Sequence, residues 1–186
     1  MNSTKRCIAL AALLFGTAET VAQYKGSGSG SGTGTAATPY SGFDKRQVAS
    51  FSDAEVAAML DGRGMGFALS AEINGYPGPA HILELADQLG LTTVQREVIR
   101  QRFEFMQVRA REAATRYVAA EKALDQAFRE NVMDLVAIKR LTVEADNMRS
   151  ETRFAHLQAH VEARRILAKD QLERYATLRG YGTKAQ

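Results

Sequence analysis

His156 and His160 stand one helical turn apart, the spacing at which two imidazoles on one helix can meet a single divalent ion. His81, Glu84 or a residue of a second subunit would complete a tetrahedral set for zinc, copper, nickel or cobalt. The set lacks what hydrolysis needs. Leu157 follows the first histidine where a zinc-protease helix carries its general base, so the chain is not expected to be an enzyme or to require a cofactor. The pair also lies on the shoulder of an apolar stripe, where packing and local hydrogen bonds commonly satisfy histidines. Gly62, Gly64 and Gly66 have neither a preceding strand nor a following GK[ST], so they do not describe a phosphate loop. Met65, Met106, Met133 and Met148 are soft enough for a metal or an adaptable partner, but Met106 and Met148 fall on the core rhythm.

Such side chains need a scaffold. The chain has 186 residues, 45% hydrophobic and 24% charged, which suits one domain. One Cys, three His and no Trp exclude a disulfide scaffold and a multi-cysteine zinc module. Lys5 and Arg6 precede an apolar run from Cys7 to Phe15, and Thr20, Val21 and Ala22 supply small residues for cleavage, so residues 1–22 read as a secretory signal peptide and the chain as exported. The run is too short to span a bilayer, which takes roughly 20 residues. Without residues 1–22 the chain keeps 22 basic and 20 acidic residues and no Cys. That slight positive balance does not describe a nucleic-acid binder.

Gly alternates with Ser or Thr from Gly26 to Gly34, and 23–50 read as a flexible tether. Ser52 with Glu55 forms a capping box for the first of the short helices in 51–79, which close on a Gly/Pro turn. Ile82, Leu85, Ala86 and Leu89 then describe one amphipathic helix ending near Gly90. From Thr92 to Glu130 apolar residues recur in steps of three and four through Ile99, Phe103, Met106, Ala110, Ala113, Tyr117, Ala120, Leu124 and Phe128. After a break at 131–133 the rhythm resumes from Ile138 to Ile166. A last helix over 169–178 places Leu172, Tyr175 and Leu178 on one side, and 181–186 form a tail. The expected fold is all-α: a long antiparallel helical hairpin with short flanking helices. Phe105, Val108 and Val118 fall off the stripe and suggest a dimer or a client surface.

Leu91, Thr92 and Gln95 form an LTxxQ motif at the start of the first long helix, and Leu167-Ala168-Lys169-Asp170-Gln171 is a second copy with Ala for Thr. Thr92 can cap the helix, Leu91 plugs the junction and Gln95 reaches back to the turn. Over residues 80–180 the pair resembles the LTxxQ family of periplasmic proteins, which includes chaperones of the Spy and CpxP type and heavy-metal-responsive relatives of the ZraP and CnrX type. The resemblance implies a cradle-like helical homodimer that binds unfolded or envelope client proteins without ATP in stress response. Metal sensing or resistance through His81, His156 and His160 is the alternative it implies, although the sensors' full ligand set is not reproduced here.

Parts compatible with client binding are present. Arg102, Arg109 and Arg116 recur every seven residues beside Phe105. Residues 92–186 carry 18 basic and 13 acidic side chains, whereas 24–91 carry 4 and 7. The blander reading of the arginine stripe is a solvated face with local partners such as Glu112.

Overall fold

The computed structural model describes residues 39–132 and 134–181. The expected signal segment, the tether up to residue 38 and residues 182–186 lie outside the described residues. Within them every regular element is helical, and no helix is long and apolar enough to cross a membrane.

Two helices form the frame. The first, α4, spans Thr93–Arg129 and the second, α5, Leu135–Arg164. At 1.5 Å per residue, the 37 residues of α4 extend about 55 Å. They run antiparallel, since Gln95 at the start of α4 donates to the Ile166 carbonyl just beyond α5 at 3.0 Å. Asn131, at φ 56°, takes the left-handed conformation that ends α4, and Asp134 caps α5 by accepting from the Val136 N–H at 2.9 Å.

The seam is thin because it is built on alanine. Ile99, Met106, Ala113, Ala120 and Ala127 are buried at strict seven-residue steps on α4, and Ala145, Thr152 and Ala159 are buried at the same step on α5. A seven-residue repeat keeps two helices in contact only if they supercoil left-handedly. That corrects one expectation: the stripe does not end on Phe128, which is 61% exposed, because the repeat carries the seam to Ala127 instead.

One side of this pair is covered by short helices: α1 (Asp53–Leu60), α2 (Leu69–Glu72) and α3 (Pro79–Glu84). The expected box forms at α1, where the Glu55 N–H donates to Ser52 Oγ at 3.3 Å and the Ser52 N–H to Glu55 Oε2 at 2.8 Å. The helix expected through Leu89 is shorter, because α3 ends at Glu84 and 85–90 continue as turns. Ile82, Ala86 and Leu89 are nonetheless buried as the pattern required. Together with Ile99, Ala163, Leu167 and Tyr175 of α6 (Lys169–Leu178), Ile82 and Leu89 form the core at the base of the hairpin. Leu178 does not join it and is 43% exposed.

A second cluster, Met59, Ala114 and Tyr117, sits halfway along the arms. Val118 packs against it, so this residue is part of the packing and not of the surplus apolar surface. The tether is also shorter than its composition suggested. Residues 43–45 form a 3-10 turn, Val48 is 1% exposed, and the Arg129 guanidinium donates to the carbonyls of Asp44 and Arg46 at 3.3 and 3.4 Å. Phe43, Val48 and Phe51 give this stretch apolar groups to bury, which the Gly/Ser repeat before it lacks.

Candidate functional site

The two LTxxQ glutamines meet. Each accepts a backbone N–H at its own helix start, Thr92 N to Gln95 Oε1 at 3.1 Å and Ala168 N to Gln171 Oε1 at 2.9 Å. That fixes each amide so that its Nε2 faces the other. Gln95 Nε2 donates to Gln171 Oε1 at 2.9 Å, and Gln171 Nε2 returns a bond to Gln95 Oε1 at 3.0 Å. Thr92 Oγ1 completes the first box by accepting from the Gln95 N–H at 3.1 Å. Ala168 has no oxygen with which to do the same, so the second box is half made. Leu91 and Leu167 pack on the base core as plugs beside this junction. The five motif residues are structural and join both ends of the hairpin.

Beneath the cover lies a carboxylate that belongs to no sequence motif. Glu72 is 5% exposed and gathers partners from three stretches of the chain. Its Oε1 accepts from the Tyr175 hydroxyl, from the Tyr181 hydroxyl at 3.2 Å and from His81 Nδ1 at 3.3 Å, and its Oε2 accepts from the Gly78 N–H at 2.9 Å. Arg179 Nε stands 3.7 Å from Oε1, and His160 Nδ1 stands 3.6 Å from Oε2. Burial pushes this carboxyl up, but the Tyr175 hydroxyl, the Gly78 N–H and the charges of His81 and His160 together hold it below the ordinary carboxylate value. Its sequence signal was isolation: Glu72 is the one Asp, Glu, Lys or Arg between Arg63 and Glu84.

The three histidines therefore take different places from those a shared ion would impose. His160 Nδ1 donates to the Tyr76 carbonyl at 2.7 Å, and His81 turns to Glu72. His156 stacks on Phe67, ring centroids 6.1 Å apart, and its Nε2 is buried without a partner. Glu84 is exposed and does not join them. Among the described residues no three His, Cys, Asp or Glu side chains are grouped to hold a metal ion, so the arrangement as placed does not fit the expected His81, His156 and His160 set.

The hub is tightly fitted. A Cβ on Gly78 would come within 2.9 Å of His160 Cε1 and Nε2. Gly78→Ala is expected to displace that ring from Tyr76 and to destabilise the protein by about 1–3 kcal/mol in urea denaturation, although the residue's φ of −75° suits alanine.

The opposite side of the hairpin carries the arginine stripe. At 100° per residue, Arg102, Phe105, Arg109 and Arg116 project from α4 away from the face where Arg111 and Ala114 meet α1 and its C-terminal turn. Phe105, Met106 and Arg109 line a shallow groove with Ala155, Gln158, Ala159 and Glu162 of α5. Arg102 lies 3.6 Å from Glu162. Arg109 sits 5.9 Å from the centre of the Phe105 ring, and neither it nor Arg116 has an ion pair among the described residues. Phe105 is 50% exposed. Val108 is exposed as well but lies round the flank of α4, off the groove.

No known protein family, curated protein or solved structure matches the chain.

Proposed function

We propose that the chain is a periplasmic, ATP-independent chaperone of the LTxxQ type that holds unfolded or envelope client segments on the open face of its helical pair. The observation that carries this reading is the asymmetry of the hairpin. One face is covered by α1–α3, whereas the other presents half-exposed Phe105, a shallow groove and two arginines without a carboxylate partner among the described residues. An apolar groove edged by free cations binds many sequences weakly: burial of small apolar contacts supplies attraction, and charge draws the client in. The two LTxxQ copies support the reading by holding the ends of the arms together. A homodimer is part of the same proposal, in which exposed Val136, Val143, Phe154 and Val161 on α5 find a cover.

The purified chain, at a molar ratio near equality and without nucleotide, is expected to delay the aggregation of a chemically unfolded client, and raised salt is expected to weaken the delay. If a molar excess of the chain leaves the aggregation of several unrelated clients unchanged, the reading fails.

A further inference from the structure

All three histidines of the chain lie where the short helices meet the hairpin, but only two have a counter-ion. His81 and His160 face Glu72, so a proton gained on either is met by a carboxylate. His156 differs. It is 3% exposed and its Nε2 has no partner, so a second ring proton there would leave a buried N–H without an acceptor. The one titratable group whose field reaches it is His160, a like charge when protonated. From the cover, Gly64 and the Phe67 ring lie against it, and neither titrates. The nearby charges of the cover are Asp61 and Arg63, which pair with each other, and Asp61 also pairs with Arg111 of α4.

The segment resting on His156 is the least regular part of the cover. Gly62, Met65 and Gly66 all have positive φ, and at 39° Met65 holds a conformation that costs a non-glycine residue free energy. The Gly62 and Arg63 N–H groups tie its start to Met59 and Ala58 of α1 at 2.9 and 3.0 Å; beyond them its backbone bonds are the Phe67 N–H to Gly64 at 2.6 Å and the Leu69 N–H of α2 to Gly66 at 3.1 Å. Phe67 also packs on the cluster of Met59, Ala114 and Tyr117, with Met148 beside it.

We propose that residues 62–68 form an acid-released latch: protonation of His156 lifts the segment from the hairpin and uncovers the apolar seat of Phe67 against Met59, Ala114, Tyr117 and Met148. The Glu72 hub, with its own counter-charges, keeps α2, α3 and α6 in place while the latch opens. The latch is independent of the chaperone reading, because it concerns only the protein's own opening.

Burial, and secondarily the charge of His160, holds His156 down at about 4 against an ordinary value of 6.5. A ring free to titrate normally once released would raise the opening equilibrium about twentyfold between pH 7 and pH 5.

The test is hydrogen exchange of the full chain at pH 7 and pH 5, corrected for intrinsic rates, with NMR titration of the histidine rings on the same sample. The expected result is faster exchange at Phe67 and Leu69 by roughly that factor, unchanged protection in 95–99 and 171–175, and a His156 midpoint well below 6.5. His156→Phe, which keeps a ring against Phe67 but cannot titrate, should abolish the acid response. Should that variant not fold, His156→Gln serves the same purpose, and the wild-type NMR titration stands without either. Flat exchange at Phe67 and Leu69, an ordinary His156 midpoint, or an acid response that persists in a folded His156 variant would each overturn the proposal.

Discussion

Replacing Glu72 by Ala is expected to destabilise the protein by about 3–5 kcal/mol, enough to remove much of a typical folding free energy. The change would leave the Tyr175 and Tyr181 hydroxyls and the Gly78 N–H without their acceptor, and it would take the counter-charge from His81, His160 and Arg179. Loss of one partner from a buried charged cluster costs more than the cluster contributes net, because each remaining polar group is desolvated without return. Glu72→Gln should lose less, since an amide still accepts from Gly78. The sign with pH follows from the direction of the shift. The Glu72 carboxyl is held below its ordinary 4.5, so its contribution is full above that value and is lost as pH falls through the lower folded value. Urea denaturation across acid pH checks both statements: in Glu72→Gln this acid-dependent loss should be missing.

Gln171→Ala is expected to cost about 2–4 kcal/mol, and the effect should not add to that of Gln95→Ala. Gln171 is 6% exposed, and its amide serves the Ala168 N–H, Gln95 and the Gly90 carbonyl, the last at 3.4 Å. Once either glutamine is truncated, the exchanged pair of bonds no longer exists to be lost a second time. A double-mutant cycle by urea denaturation should therefore show a coupling of about 1–2 kcal/mol, and additive single effects would place the two glutamines in separate local caps.

The long elements were legible because their information is local. A seven-residue apolar repeat, Thr92 with Gln95 and Ser52 with Glu55 each carry their own geometry, and the structure follows them to within a residue at Thr93–Arg129. What the sequence hid depends on contacts between distant segments. Glu72 and Tyr175 are 103 positions apart, and no periodicity relates them. His156 and His160 share a helix face, but the cover decides their chemistry by offering His160 a carbonyl and a carboxylate and His156 an aromatic ring. Phe128 and Val118 depend on distant segments in the same way: near the tip a step of three or four fits several residues and only the partner helix selects Ala127, whereas Val118 lies midway and packs on the cluster that Met59 of α1 completes. The exposed arginines and Phe105 were legible as an off-stripe set, because what leaves the seam must face solvent or the cover.

The most direct measurement is to map where an unfolded client sits. Backbone amide shifts of the full chain should be followed by NMR during titration with a permanently unfolded polypeptide. Perturbation is expected along one face, at 102–116 of α4 and 151–164 of α5, and it should be sharply reduced when Arg109 and Arg116 are both changed to Glu, with stability altered by less than about 0.5 kcal/mol. Perturbations centred on α1–α3, or none at all with several polypeptides, would contradict the assignment of the open face as the binding surface.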